Sequence, residues 1–131
     1  MFPRPEREQE IKMPYVYAKV DKIELTEKVG SHQCVALVQH YANAPGTLGW
    51  KKGADVLGNH GLTKGTAIAT FVDGKYKSHA HGNHAALYLG QGPNGIWVMD
   101  QWNNDRKPKV SKRFIQNRSL IIGCKENILI Q

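Results

Sequence analysis

One helical pattern followed by a series of strand patterns is the feature that most constrains the fold of this chain. Residues 31–43 space Cys34, Leu37, Val38 and Tyr41 at i, i+3, i+4 and i+7, the pattern of an amphipathic helix. Short runs typical of strands follow at 66–72, 84–89, 96–102, 112–115 and 119–124. A helix ahead of antiparallel strands predicts an α+β domain, with an N-terminal helix packed on an antiparallel β-sheet.

The 131 residues are enough for one domain with a substantial core. Residues 1–12 are polar with mixed charge and predict a flexible extension, which leaves 13–131 as the single domain. Residues 14–18 predict a short lead-in strand. The glycine-rich segment 45–65 predicts loops with one short helix.

The chain carries a net charge of +7, which favours association with polyanions such as nucleic acid, anionic membrane surfaces or acidic cell-wall polymers. No apolar stretch approaches the roughly 20 residues that span a bilayer, so we expect no membrane insertion. The N-terminus lacks the apolar segment of a secretory signal. We therefore expect synthesis in the cytoplasm and export, if any, by another route.

Cys34 lies at the start of the predicted helix, after Ser31, which we expect to be the N-cap. The unpaired N–H groups of a first helical turn favour a thiolate. Cys34 is therefore a candidate nucleophile, although a buried, unreactive cysteine fits the same position. Cys124, the second cysteine, is expected to be buried in a terminal strand, and a disulfide with Cys34 stays possible.

His84, at the start of a predicted strand, is the candidate base for Cys34. A base histidine needs an acceptor for its other ring nitrogen. One hairpin register sets His84 directly opposite Asp100, and a slip of one residue sets Gln101 there instead. We favour Asp100, because a carboxylate both fixes the tautomer and stabilises an imidazolium.

These segments together resemble the compact papain-like peptidoglycan hydrolases of the CHAP and NlpC groups. Residues 33–39 are similar to the helix start that bears their cysteine, residues 84–90 to their histidine strand, and residues 98–102 to the strand with the third polar residue. A small basic chain of this kind is most similar to type VI secretion amidase effectors. The resemblance implies a papain-like fold with Cys34, His84 and Asp100 as catalytic residues, without a cofactor.

The resemblance also implies a function and partners. The expected activity is hydrolysis of amide bonds in the stem peptides or cross-links of peptidoglycan, in the periplasm of a target cell, with a cognate immunity protein as inhibitor. Gln33 is a candidate oxyanion donor beside the backbone N–H of Cys34. Gln101, Trp102 and Trp50 are candidates to contact substrate, whereas Trp97 is expected to pack in the core.

Two other functions fit parts of the sequence. His79, His81 and His84, with His60 and Asp100, could form a zinc site, although this spacing matches no known ligand pattern. The basic C-terminal part of the chain could bind nucleic acid, but it lacks an aromatic platform, a zinc knuckle or a recognition helix. We therefore expect neither a metal ion nor nucleic acid as a partner.

Overall fold

The computed structural model describes residues 15–77, 83–104, 106, 108–116 and 127–130. One α-helix, α1, comprises Cys34–Ala42, and two 3₁₀ helices comprise Val20–Ile23 and Thr47–Gly49. The strands are β1 Lys52–Asp55, β2 Ala67–Thr70, β3 Ala85–Gly92, β4 Gly95–Asp100, β5 Ser111–Gln116 and β6 Asn127–Ile130. Within these ranges, no helix has the length and apolarity that crossing a bilayer requires.

The six strands form one antiparallel sheet in the order β1-β6-β2-β3-β4-β5. The β3–β4 hairpin closes with Gly92 opposite Gly95, so the loop has two residues. A bulge at Leu89 then shifts the register, so that Leu87 lies opposite Met99. Both registers predicted from the sequence are therefore wrong, because the strands continue to a two-residue loop, which sets the pairing beyond both predictions even after the bulge.

The strand pleat divides the core into two layers, since successive side chains point to opposite faces. On β3, Leu87 packs with Leu37 and Val38 of α1. The neighbouring Tyr88 packs on the other face with Val98. The order of elements and this packing confirm the predicted α+β fold, with the helix lying on an antiparallel sheet.

The helix begins later than its sequence pattern predicts. Gln33, not Ser31, is the N-cap, and Cys34 is the first helical residue. The physical reason is the positive φ of Gly30 (57°) and His32 (70°), which no right-handed helix can include. Ser31 instead accepts a hydrogen bond from the backbone N–H of Gln33.

Other parts of the sequence prediction need correction. Strand β1 was not predicted, and it lies within the segment expected to be loops and one short helix. The expected lead-in strand is reduced to a single bridge between Val16 and Thr66. Trp97 is 43% exposed rather than part of the core, with its ring against Phe114. Residues 1–12 and 119–124, including Cys124, lie outside the described residues.

Gly95 is required by close packing, because a Cβ there would lie 2.2 Å from the carbonyl oxygen of Ile115. We expect Gly95→Ala to destabilise the protein by about 1–3 kcal/mol, the usual cost of overpacking. Gly92→Ala is the matched control, because a Cβ there meets nothing within 4 Å. Urea unfolding curves of the two variants check this, and equal free energies of unfolding would contradict it.

Candidate active site

The structure brings Cys34 and His84 together, although fifty residues separate them in the chain. Cys34 is the first residue of α1, and His84 directly precedes β3. The thiol is free and half-buried, and the nearby imidazole of His84 lowers its pKa. The start of the helix and the start of the strand therefore present a sulfur to a base.

Asp100 binds the far side of the imidazole. His84 Nε2 lies 2.7 Å from Oδ2 of Asp100, whose side chain is completely buried. Leu87 and Met99 are the last paired residues of β3 and β4 on this side of the hairpin. If the same register continues for three more residues, His84 lies opposite Trp102. Asp100 is thus the diagonal neighbour of His84 on the same face, which is still within reach of a hydrogen bond.

Arg113 and Trp102 complete the surroundings of the imidazole, and sequence reasoning missed the first of them. Arg113 Nε donates to Asp100 Oδ2 at 2.7 Å, and its Nη2 lies 3.2 Å from His84 Nε2. The Trp102 ring stacks on His84 at 5.1 Å between centroids, and the Arg113 guanidinium lies 4.1 Å from the Trp102 centroid. The Trp102 side chain therefore supports the base rather than lining the cleft described below.

The Cys34 thiolate and the His84 imidazolium stabilise each other's charge. Burial opposes the thiolate, but the hydrogen bond and charge of His84 outweigh it and lower the pKa of Cys34 from its ordinary value. Burial likewise opposes the imidazolium, but the hydrogen bonds and charges of Asp100 and Cys34 raise the pKa of His84 to about 9. Both shifts favour the form of the pair in which Cys34 is a thiolate and His84 an imidazolium.

Gln101 holds the segment before the catalytic helix. It is 1% exposed, and its side-chain amide donates to the carbonyl oxygens of Val29 at 3.0 Å and Gln33 at 2.8 Å. Its side-chain oxygen accepts from the backbone N–H of Val29 at 3.0 Å. The sequence suggested that Gln101 contacts substrate, but its side chain is not placed to do so. It fixes the N-cap of α1 instead.

A cleft of about 380 Å³ opens beside the sulfur. Its lining includes the predicted Gln33 and two residues that the sequence did not single out, Tyr76 and Asn83. The Tyr76 hydroxyl lies 3.8 Å from Cys34 Sγ. Trp50 is buried behind the cleft with its ring against Tyr76, so it supports the wall and does not line it.

Among the described residues, no group of three or more His, Cys, Asp or Glu side chains is arranged to hold a metal ion. His79 and His81 of the alternative zinc site lie outside the described residues. His60 belongs to no such group, and His84 and Asp100 are hydrogen-bonded to each other, with Arg113 beside both.

Comparison with known proteins shows the family of this chain. The family model of Dae2, domesticated amidase effector 2, matches residues 12–126. The chain belongs to the Dae2 family. Relatives include a type VI secretion amidase effector 2 protein of Salmonella typhi, 56% identical over 106 residues that make up 79% of this chain and 80% of that protein. A domesticated amidase effector 2 of Ixodes scapularis is 40% identical over 57% of this chain and 54% of its own length.

A solved structure shows that this member of the Dae2 family has the expected fold. Type 6 secretion amidase effector 2 (Tae2) superposes with a TM-score of 0.80 and 45% identity, covering 89% of this chain and 94% of Tae2. The predicted papain-like fold and the resemblance to type VI secretion amidase effectors are therefore confirmed.

The ion pair can be tested through the reactivity of Cys34 toward iodoacetamide as a function of pH. Asp100→Asn removes the charge that sustains the imidazolium, so the pKa of His84 should fall and that of the Cys34 thiol should rise. We expect the midpoint of alkylation to move to higher pH. Peptide mass spectrometry distinguishes alkylation of Cys34 from alkylation of Cys124. Glu27→Gln is the control, because it removes an exposed carboxylate. Identical midpoints in Asp100→Asn and the unmodified chain would refute the ion pair.

Gln101→Met tests the fixing of the helix start. The substitution keeps the side-chain length but leaves backbone groups of Val29 and Gln33 without their partner. Three part-buried hydrogen bonds are lost, each worth about 0.5–1.5 kcal/mol, so we expect a loss of about 1.5–4.5 kcal/mol in urea unfolding, with slower alkylation of Cys34. Gln116→Met, on an exposed residue, should change stability by less than about 0.5 kcal/mol. A Gln101→Met protein as stable as this control would exclude the role.

Proposed function

We propose that the chain is a cysteine amidase that hydrolyses amide bonds in the peptide part of bacterial peptidoglycan, delivered as an antibacterial type VI secretion effector. One observation carries the catalytic part: His84 is hydrogen-bonded to Asp100 and lowers the pKa of Cys34, whose side chain lines an open cleft. The amidase effector names of the relatives support the reaction class and the substrate.

The nucleophile in this mechanism is already charged before substrate binds. The Cys34 thiolate attacks the carbonyl carbon of the amide, and the electron pair of the C=O bond moves to the oxygen. The backbone N–H of Cys34, the first helical residue, has no carbonyl four residues earlier in the helix and is available to this oxyanion.

His84 performs the proton transfers. Its imidazolium protonates the amide nitrogen as the C–N bond breaks, which releases the amine and leaves a thioester on Cys34. The neutral imidazole then takes a proton from water as the water oxygen adds to the thioester carbon. Collapse of this intermediate releases the carboxylic acid and restores the thiolate. Asp100 holds the ring in place throughout, and Arg113 holds Asp100.

We further propose that the substrate is a stem peptide or cross-link in the periplasm of a target cell. The cleft at Cys34 is open to solvent on the chain by itself, so a producing cell needs a cognate immunity protein that covers it. The net charge of +7 favours adsorption to the acidic cell wall.

Hydrolysis of purified sacculi, followed by mass spectrometry of the released muropeptides, tests the proposal. We expect Cys34→Ala to lower turnover by at least about 10³-fold while the protein stays folded, because the nucleophile is gone. Cys124→Ala is the matched control and should retain activity. Unchanged turnover in Cys34→Ala would end the thiol mechanism, and fragment masses identify the bond that is cut.

A further inference from the structure

We propose that Tyr76 is a further catalytic residue: its hydroxyl donates a hydrogen bond to the Cys34 thiolate at rest and to the oxyanion once the thiolate has attacked. This inference rests on the proposed amidase function and names a donor that the sequence did not suggest. Tyr76 lies 42 residues from Cys34 in the chain, and its hydroxyl oxygen lies 3.8 Å from the sulfur.

The direction of the hydrogen bonds at Tyr76 follows from its second partner. The side-chain amide of Asn83 donates to the Tyr76 hydroxyl oxygen at 3.4 Å. An amide N–H cannot accept, so this contact occupies an acceptor position of the hydroxyl and leaves its hydrogen for the sulfur. Asn83, Tyr76 and Cys34 thus form a chain in which each group donates to the next.

The Tyr76 hydroxyl also keeps its proton where it is needed. Burial, together with the charge of the Cys34 thiolate, raises the pKa of Tyr76 well above its ordinary value. The phenol therefore stays a neutral donor beside a thiolate instead of competing with it as a second anion. A neutral donor is the kind of group that stabilises a developing oxyanion.

Packing fixes the position of the hydroxyl before the reaction begins. The Tyr76 ring meets Trp50 in an edge-on contact with 4.7 Å between centroids. Trp50 is itself held by the hydrogen bond from its Nε1 to the carbonyl oxygen of Pro45, at 2.7 Å. A donor held in this way loses little freedom at the transition state, which is the condition for effective electrostatic catalysis.

The same geometry lets the hydroxyl follow the charge. As the C–S bond forms, the sulfur loses its negative charge and the carbonyl oxygen gains it. The Tyr76 O–H bond stays intact, and only the acceptor of its hydrogen bond changes from sulfur to oxygen. Tyr76 and Gln33 line the same cleft, but Gln33 is exposed, whereas Tyr76 is half-buried and contacts the reacting sulfur. Tyr76 is therefore better placed than Gln33 to be the second oxyanion donor, beside the backbone N–H of Cys34.

Tyr76→Phe tests this role, because it removes the hydroxyl and keeps the ring that packs on Trp50. We expect kcat on sacculi to fall by about 10²–10³-fold, as for loss of one oxyanion donor, with little change in KM. The midpoint of Cys34 alkylation should move to higher pH, since the thiolate loses a donor. Tyr41→Phe is the control, because Tyr41 is also half-buried and packs against Tyr17 and His40.

The chain of donors is tested by combining variants. Asn83→Ala should lower kcat in the unmodified chain but cause no further loss in Tyr76→Phe, because Asn83 acts only through the hydroxyl. A kcat for Tyr76→Phe within about threefold of the unmodified chain, or additive losses in the double variant, would overturn the proposal. Alkylation needs no substrate, so it tests the contact between Tyr76 and Cys34 even if the chain fails to cleave peptidoglycan.

Discussion

The site depends on balancing four charges that lie wholly or partly out of water. A buried charge is costly unless it is paired and hydrogen-bonded. Here two negative groups, Cys34 and Asp100, lie with two positive groups, His84 and Arg113, each of which is 2.7 Å from Asp100 Oδ2. The two negative charges offset the two positive ones, so the reactive thiolate is stabilised without a net charge in the interior. Arg113 is what allows Asp100 to be completely buried while still holding the base.

Asp100, the last residue of β4, and Gln101, which follows it, hold different parts of the site. Because consecutive residues point to opposite faces, Asp100 and Gln101 cannot serve the same group. Asp100 binds the histidine, whereas Gln101 binds the backbone of Val29 and Gln33, just before the cysteine. One strand end therefore positions both partners of the ion pair. A shift of this strand end would displace the base and the nucleophile together.

The sequence predicted those parts of the molecule that local patterns determine. The spacing of Cys34, Leu37 and Val38 predicted the helix, and the strand-like runs predicted four of the strands among the described residues. The predicted register of the β3–β4 hairpin was wrong, because β3 extends to Gly92 and the loop has only two residues, which the glycine-rich turn pattern does not reveal. Tyr76 and Arg113 escaped prediction for a related reason: each reaches the site through contacts between distant segments, and neither belongs to a recognisable motif. The exposure of Trp97 was also missed. The alternation of side chains along a strand predicts which face of the sheet a residue lies on, but not whether other elements cover that face.

The observed register also explains how Trp102 supports the base although its side chain cannot accept a hydrogen bond. Directly opposite His84, an indole ring can stack on the imidazole but offers no acceptor to Nε2. The acceptor comes instead from the diagonal position, Asp100, on the same face. The stacked indole covers the ring and carries the Arg113 guanidinium on its own surface, so it shields the hydrogen bond between His84 and Asp100 from water. An asparagine at position 102 could replace the acceptor but not this cover, and the imidazolium would then lose the dry surroundings that strengthen its bond to Asp100.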